Sequence, residues 1–278
     1  MTGTTQNNTS QAIAFIGGGN MASAIIGGLI RQGLSAAEIE VVEPFAEARD
    51  KLRTQFGITA QAAAGPALAR AQLVVWAVKP QTFKDAAAQA KPYTGNALHL
   101  SVAAGIRSDS IAQWLATERI VRSMPNTPAL VGKGMTALFA RPGVSQGDKA
   151  RVEQVIATTG ASLWVEEEAH LDAVTALSGS GPAYVFFFLE AMTQAGVEMG
   201  LTREQAYQLS VATFVGSAEL AQASDDPPEV LRQRVTSKGG TTYAAITSME
   251  QDQVQPRFVK ALHAARQRAK ELGDEFGA

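Results

Sequence analysis

The stretch IAFIGGGNMASAI, residues 13–25, decides the fold because it joins an apolar run to a glycine-rich turn and a helical run. Gly17, Gly19 and Ala22 match the dinucleotide-binding fingerprint, in which alanine is permitted at the third place. The first glycine makes the tight turn, the second lets the backbone approach a pyrophosphate, and the alanine lets the helix lie close to the strand. A plain tight turn would also favour glycine, but a motif that directly follows a strand and opens a helix favours a nucleotide site.

Short β-rich runs alternate with helical runs from this motif to about Val165. The strand candidates are IAFIG, EIEVVE, QLVVWAV, NALHLSVA and RIVRSM, and the helical runs between them are SAIIGGLIRQ, AEARDKLRTQF, FKDAAAQA and SDSIAQWLA. Two more apolar segments, GMTALFA and ASLWVE, flank the helical run GDKARVEQVIATT and are expected to extend the sheet. This alternation predicts an α/β fold, a Rossmann-like doubly wound parallel sheet with helices on both faces.

The pattern becomes all-helical after Val165. A helix is expected over residues 182–199, a capping box at 202–205 opens the next helix, and Asp226 is expected to cap a third. The last helix is expected over roughly residues 255–272. We therefore predict a disordered tail at 1–11, a dinucleotide-binding domain at 12–166 and an all-α domain at 167–278.

The composition is that of a globular protein, since 46% of the 278 residues are hydrophobic and 18% are charged. The formal net charge is -2 and no basic run exceeds a pair, which argues against nucleic acid as a partner. The chain has no cysteine, which excludes disulfides, thiol nucleophiles and thiolate metal sites and fits a reducing compartment. The N-terminal residues lack the pattern of a signal or transit peptide, and the apolar stretches are too short to span a membrane. We expect a cytoplasmic protein without a nucleic-acid or membrane partner.

A second glycine-rich segment, VTSKGGTTYAAI, occupies residues 235–246. Two glycines lie between a Ser-Lys pair and two threonines, and a helix-like apolar run follows, which is the chemistry of an anion site. In a phosphate loop the lysine is followed directly by a hydroxyl residue, whereas Lys238 precedes two glycines. Because the first motif already serves the nucleotide phosphates, this segment is expected to bind a different, smaller anion.

Four other features leave alternatives open. Glu43 closes the second strand, where a carboxylate usually accepts hydrogen bonds from the adenosine ribose, but it could also cap the helix that follows. Lys79 follows the third strand and could contact phosphate or sugar, or be a solvated lysine at a helix start. The loop RSMPNTPA holds Asn126, whose amide could seat a carboxamide, or it is only a rigid turn. The loop ALSGSGPAY is either part of a small-molecule site or a place of close backbone packing with a helix cap.

Acid–base candidates are few. His99, His170 and His263 are expected to be packed or solvated and are too scattered to suggest a metal site, and residues 166–168 are expected to be a solvated run of glutamates. Taking a proton from an alcohol commonly needs a strong base, whereas an imine nitrogen can arrive already protonated. The scarcity of bases therefore favours reduction of a C=N bond, in which the protein mainly positions the reactants.

In this order and spacing, the motifs FIGGGNMASAI, VKP, RSMPNTPA, ALSGSGPAY and VTSKGGTTYAAI closely resemble those of pyrroline-5-carboxylate reductase, over nearly the whole chain beyond residue 11. The last motif is the most specific, because many families share a dinucleotide loop. The resemblance implies an oxidoreductase that reduces 1-pyrroline-5-carboxylate to L-proline with hydride from NADPH or NADH, the last step of proline biosynthesis. It also implies that the helical domain binds substrate and forms a homodimer by interleaving helices, with decamers of five dimers in some relatives.

The resemblance also assigns residues. The cofactor contacts that it implies are Gly17, Gly18, Gly19, Asn20, Met21, Ala22, Glu43, Ala77, Val78, Lys79, Pro80, Ala103, Ala104, Met124 and Asn126. The substrate contacts that it implies are Ser237, Lys238, Gly239, Gly240, Thr241 and Thr242, and the Thr242 hydroxyl is the catalytic group that bonds the ring nitrogen. Lys238 either attracts the substrate carboxylate or faces solvent. Glu43 would repel the 2′-phosphate of NADPH, the cofactor common in the family, so the preference between NADH and NADPH stays open.

Two rival interpretations are weaker. A β-hydroxyacid dehydrogenase, or another imine reductase of similar plan, is the first; the dehydrogenase would present a catalytic lysine on a long helix of the second domain, and residues 182–199 contain none. A non-catalytic NAD(P)-binding sensor is the second, and it would not need the anion site at residues 237–242.

Overall fold

The computed structural model of the chain describes residues 12–276, so the tail predicted at 1–11 lies outside the described residues. One sheet contains the strands β1 (Ile13–Ile16), β2 (Ile39–Val42), β3 (Leu73–Trp76), β4 (Leu98–Ser101), β5 (Ile120–Met124), β6 (Gly134–Ala140) and β7 (Gly160–Trp164). Their order across the sheet is β2-β1-β3-β4-β5-β6-β7. The chain passes from one side of β1 to the other on going from β2 to β3. This places a topological switch point, the usual ligand crevice of such folds, at the carboxyl ends of β1 and β3.

The strands β1 to β5 are parallel to one another, which confirms the predicted doubly wound sheet. The two predicted extensions are also strands, but β6 is antiparallel to β5 and β7 is parallel to β6, so the sheet is mixed. A short connection that contains only the 3₁₀ turn Thr127–Val131 joins β5 to β6. A parallel neighbour needs a crossover of a dozen or more residues, which this connection does not supply.

The helices follow the predicted runs closely. Those between the strands are α1 (Asn20–Arg31), α2 (Ala46–Phe56), α3 (Pro80–Thr94), α4 (Ser108–Leu115) and α5 (Gln146–Ile156). After β7 come α6 (His170–Val174), a π-helical turn (Thr175–Gly179), α7 (Gly181–Glu198), α8 (Arg203–Gln222), α9 (Pro228–Arg234), α10 (Thr241–Gln251) and α11 (Val254–Phe276). Within residues 12–276, none of these helices has the length and apolar character needed to cross a membrane.

Separate apolar clusters cover the two faces of the sheet, and alternate strand residues contribute to each. In β1, Ile13 and Phe15 belong to one cluster, while Ala14 and Ile16 belong to the other. Since side chains of a strand alternate between faces, a strand that is buried on both sides is largely apolar, and the polar side chains that it does bury need hydrogen-bond partners. This explains why β1 and β3 are continuous apolar runs rather than alternating ones.

The contacts divide the chain into two compact units, one of residues up to 180 together with 265 onward and one of residues 181–264. In the first unit, the last turns of α11 lie against the segment after β4, where a Cβ at Gly105 would be 3.3 Å from Leu272. The domain boundary expected at residue 166 stays a prediction.

The second unit is held by close packing of α7 on α8. A Cβ at Gly196 would lie 2.6 Å from the Cβ of Ala206, so this glycine permits the close approach. The unit also leaves many large apolar side chains exposed, on α7 and α8 above all: Val185, Phe186, Phe187, Met192, Val197, Tyr207, Leu209, Val215 and Leu220. Exposed apolar side chains in such number are typical of a surface used in protein–protein contacts.

Of the two helix caps predicted in this region, the structure confirms one and contradicts the other. The capping box is confirmed, since the Thr202 hydroxyl accepts from the Gln205 N–H and the Gln205 side chain accepts from the Thr202 N–H. The prediction that Asp226 caps the next helix is wrong. Pro227 occupies the N-cap position of α9 and has no side-chain acceptor, while the Asp226 carboxylate pairs with Arg234 at 2.6 Å.

Candidate cofactor and substrate sites

The turn after β1 has a backbone that only glycine adopts easily. Gly17 has φ +97° and donates its N–H to the Val42 carbonyl at 2.8 Å. A Cβ at this position would lie 2.5 Å from the carbonyl oxygen of Ala77. The first glycine of the fingerprint therefore fixes the turn by both its conformation and its contact with the segment after β3.

The next residues leave room for a ligand. Gly19 is exposed, a Cβ on it would meet no described atom within 4 Å, and it is the N-cap of α1 without a side-chain acceptor. Asn20 is exposed, Met21 is partly buried, and Ala22 is fully buried in the core below. The first N–H groups of a helix have no partner within the helix, and together with the helix dipole they favour an anion. The loop thus fits the pyrophosphate of a dinucleotide.

The other predicted cofactor residues follow the carboxyl ends of neighbouring parallel strands. Ala77 and Val78 lie beside the Gly17 turn after β3, and Lys79 is the exposed N-cap of α3 before Pro80 at its first turn. After β4, Ala103 is buried and Ala104 is exposed, and Met124 is the last residue of β5. Since the carboxyl ends of parallel strands share one edge, the structure brings these residues to the same edge as the loop of Gly17 to Ala22, which we call the phosphate loop. Their roles as cofactor contacts stay predictions.

The amide of Asn126 is engaged within the protein at both ends. Its Oδ1 accepts the N–H of Met135 at 2.9 Å, and its Nδ2 donates to the Ser178 hydroxyl at 3.1 Å. Nearby, a Cβ at Gly179 would lie 2.3 Å from the Met124 methyl group. The loop after β5 is therefore tied to the π-helical turn, and ALSGSGPAY has at least the close-packing role that its sequence allowed.

Glu43 is buried at the end of β2 and is only 6% exposed. Its Oε2 accepts the N–H of Gly18 at 2.8 Å, and its Oε1 accepts the N–H of Phe45 at 2.9 Å. The carboxylate therefore joins the phosphate loop to the chain that leads into α2. A direct contact between Glu43 and a cofactor stays a prediction.

The second glycine segment forms a turn that opens α10. Gly239 has φ +75°, and Gly240 donates its N–H to the Ser237 carbonyl at 3.0 Å. Gly240 is the N-cap of α10 and has no side-chain acceptor, so the N–H groups of the first turn are free for an anion. Ser237, Lys238 and Thr241 are exposed, and Thr242 is partly buried. In the part of the chain that the structure describes, Lys238 forms no ion pair.

The three histidines are placed as their sequence suggested, one packed and two solvated. His99 is buried and accepts a hydrogen bond at Nδ1 from the Trp76 indole, whereas His170 and His263 are exposed. Across residues 12–276, no group of three His, Asp or Glu side chains is placed to hold a metal ion.

The expectation that residues 166–168 form a solvated run is wrong for Glu168. Glu166 and Glu167 are exposed, but the Glu168 carboxylate accepts the N–H of Ser108 at 2.6 Å and pairs with Nη1 of Arg122 at 2.5 Å. Arg122 lies in β5 and is 5% exposed. Glu168 therefore compensates a buried positive charge, a role that its neighbours in sequence do not share.

Two protein-family models match the chain. The model described as pyrroline-5-carboxylate reductase dimerisation matches residues 168–272, the region that holds the exposed apolar side chains of α7 and α8. The model described as NADP oxidoreductase, coenzyme F420-dependent, matches residues 12–105, which include the phosphate loop.

Individual proteins match over almost their full length. The pyrroline-5-carboxylate reductase of Pseudomonas aeruginosa is 45% identical over 267 residues, covering 95% of this chain and 98% of that protein. Among solved structures, a pyrroline-5-carboxylate reductase from Coxiella burnetii has a TM-score of 0.88 and 38% identity, covering 95% of this chain and 98% of that one. The Plasmodium falciparum pyrroline carboxylate reductase with NADP bound has a TM-score of 0.84 and 29% identity, with coverages of 94% and 98%.

Proposed function

The chain belongs to the pyrroline-5-carboxylate reductase family, and we propose that it reduces the C=N bond of 1-pyrroline-5-carboxylate to L-proline with hydride from NADPH or NADH. This is an oxidoreductase reaction and the last step of proline biosynthesis. The rival interpretations as a hydroxyacid dehydrogenase or a nucleotide sensor have no comparable support.

One structural observation carries the assignment of the two sites. Two helices, α1 and α10, each begin at a glycine without a side-chain cap, Gly19 in one case and Gly240 in the other. A reductase of this kind has two anions to hold, the pyrophosphate of the dinucleotide and the carboxylate of the small substrate. The fingerprint identifies α1 as the pyrophosphate site, which leaves α10 for the substrate carboxylate.

The residues at α10 suit a small cyclic imino acid. The N–H groups of Thr241 and Thr242 bind the carboxylate at the helix N-terminus, where the helix dipole also favours an anion, whereas the N–H of Gly240 is donated to the Ser237 carbonyl. Thr242 lies in the first turn of this helix and is partly buried, so its hydroxyl belongs to the same short segment as the N–H groups that bind the anion. In the substrate the ring nitrogen and the carboxylate are bonded to the same carbon, so one short segment can contact both groups.

Thr242 serves the nitrogen in either protonation state, because a hydroxyl can donate to a neutral imine and accept from an iminium N–H. A dinucleotide held at the loop of Gly17 to Ala22 would supply the hydride. If the substrate arrives as the iminium, its imine carbon would accept that hydride, the C=N π electrons would move to nitrogen and the neutral amine of proline would result. No strong base is needed in this step. Neither glycine segment contains a histidine or a carboxylate, and the carboxylate of Glu43 at the end of β2 is engaged by backbone N–H groups.

The match to a dimerisation family supports a homo-oligomer built on a dimer. We extend the proposal to a decamer of five dimers and to a cytoplasmic location, with which a chain lacking cysteine is compatible. Light scattering of the purified protein decides the assembly, since a dimer and a decamer have two and ten times the 29.2 kDa of the chain. Cell fractionation decides the location.

The deciding experiment follows the absorbance of NADH and NADPH in parallel reactions while 1-pyrroline-5-carboxylate is added. We expect nucleotide oxidation that depends on substrate and forms an equal amount of L-proline. Absence of turnover with both nucleotides would refute the proposed function.

A further inference from the structure

The carboxylate of Glu43 is fixed in place below the phosphate loop. Each of its oxygens accepts one backbone N–H, from Gly18 at 2.8 Å and from Phe45 at 2.9 Å. The backbone of Glu43 is itself anchored, because its N–H donates to the Gln61 carbonyl at 2.8 Å. Displacing the carboxylate would leave two N–H groups without partners and would release the loop that holds the pyrophosphate.

No cation neutralises this carboxylate within residues 12–276. Arg49 of α2 is near, but its Nη1 donates to the backbone carbonyls of Glu43 and Pro44, at 2.9 and 2.7 Å, and not to the carboxylate. Each carboxylate oxygen has a further lone pair, so the group can accept hydrogen bonds from hydroxyls and can donate none. The end of β2 is therefore an acceptor site with a negative charge.

We propose that Glu43 makes this enzyme prefer NADH to NADPH. The inference rests on the proposed function, since it presumes that a dinucleotide binds at the loop of Gly17 to Ala22. In a Rossmann domain, an acidic residue at this place accepts from the hydroxyls of the adenosine ribose. NADH offers two such hydroxyls, whereas NADPH carries a phosphate at the 2′ position, with a charge of about -1.5 to -2 and acceptor oxygens only. The phosphate is repelled by a carboxylate that cannot withdraw.

The competing possibility assigns the opposite preference to Arg49. If its guanidinium turned outward, it could pair with the 2′-phosphate, as arginines near this position do in NADP-binding domains. That rotation would break the two hydrogen bonds to the carbonyls of Glu43 and Pro44. The geometry therefore favours Glu43 over Arg49 as the residue that sets the preference.

The test is the dissociation constant of each reduced nucleotide, measured by isothermal titration calorimetry without substrate. We expect the wild-type protein to bind NADH at least about tenfold more tightly than NADPH. In Glu43→Gln, which removes the charge but keeps an acceptor, the ratio should fall towards one, chiefly through tighter NADPH binding. Arg49→Met, the matched variant that removes the nearby cation, should leave the preference for NADH in place.

Other outcomes separate the possibilities. Tighter binding of NADPH by the wild type, or an unchanged ratio in Glu43→Gln, would overturn the assignment to Glu43. A selective loss of NADPH binding in Arg49→Met would assign the preference to Arg49. If Glu43→Gln does not fold, Glu43→Ala is measured in its place with the same expected ratio. If the wild type binds neither NADH nor NADPH, the result contradicts the proposed function and not merely the preference between the two nucleotides.

Discussion

The indole N–H of Trp76 donates a hydrogen bond of 3.0 Å to Nδ1 of His99, and both side chains are buried on neighbouring strands. Burial disfavours the charged imidazolium and lowers the pKa of His99 from 6.5 to about 4. The positive charge of Arg119 lowers this pKa further, against the opposing effect of a backbone hydrogen bond to Thr94. Since Nδ1 accepts from the indole, the imidazole is held in its neutral form.

Stability should therefore depend on pH through His99. Its folded pKa is lower than its unfolded pKa, so the unfolded chain takes up the proton first as the pH falls. The stability that the neutral form contributes is complete above pH 6.5 and is lost between pH 6.5 and about 4, a change of about 3 kcal/mol. Urea unfolding between about pH 7.5 and pH 4.5 measures it.

The control for this prediction is His99→Asn, which keeps an acceptor near the indole and does not titrate in this range. We expect the variant to be less stable than the wild type at neutral pH and to lose less stability on acidification. Equal losses in the two proteins would show that carboxylates, and not His99, cause the acid sensitivity.

Local patterns allowed much of the fold to be predicted. The turn could be identified because its backbone conformation favours glycine. The strands β1 and β3 could be identified because burial on both faces favours a short run of apolar residues. The antiparallel direction of β6 was missed, since it depends on the length of a connection and not on the strand itself. Position 168 was also misjudged, because its partner Arg122 is 46 residues away in the chain. The hydrogen bond between Asn126 and Ser178 could not be predicted for the same reason, since the two residues are 52 positions apart in the chain.

Gly19→Ala separates a ligand role from a folding role in the phosphate loop. The position has φ -72°, which alanine adopts, and a Cβ there meets no described atom within 4 Å. We expect the stability to fall by no more than about 1 kcal/mol, because alanine is only a poorer N-cap than glycine. Nucleotide affinity should fall about tenfold or more, because the new methyl group stands where the pyrophosphate approaches.

Gly17→Ala is the matched comparison and should behave differently. Its φ of +97° and the 2.5 Å approach to the Ala77 carbonyl strain the folded state itself. We expect a loss of about 2 to 4 kcal/mol in the free energy of unfolding. Chemical unfolding and nucleotide titration of both variants check the pair. Unimpaired nucleotide binding by a folded Gly19→Ala would remove this loop from the cofactor site.

Glu168→Gln should be costly although the residue belongs to a run of three glutamates. The substitution leaves the guanidinium of Arg122 buried without the negative charge of Glu168. The Nε of Arg122 already has no hydrogen-bond partner among the described residues. Removal of one partner of a buried ion pair typically costs about 3 to 5 kcal/mol. We expect a loss of about 3 kcal/mol, measured by urea unfolding.

Glu167→Gln serves as the control, because the side chain is exposed and should change stability by no more than about 0.5 kcal/mol. Adding Arg122→Met to Glu168→Gln should restore part of the lost stability, since the uncompensated charge is then gone. Similar small effects of the two glutamate substitutions would mean that Glu168 is as solvated as its neighbours.

Thr242→Ala tests the catalytic role that we propose for the Thr242 hydroxyl. The residue lies in the first turn of α10 and is partly buried, and alanine is a better helix former, so the fold should be retained. The backbone N–H remains, so the carboxylate should still bind, while the ring nitrogen loses its hydrogen-bond partner. We expect kcat/KM for 1-pyrroline-5-carboxylate to fall about 10- to 100-fold, mostly in kcat, with nucleotide affinity changed by less than about twofold. Thr242→Ser should recover most of the activity because it restores the hydroxyl.

Thr247→Ala is the matched control, since it removes the hydroxyl of another partly buried threonine further along the same helix. An unchanged kcat/KM in Thr242→Ala, or an equal loss in Thr247→Ala, would exclude the Thr242 hydroxyl from the reaction.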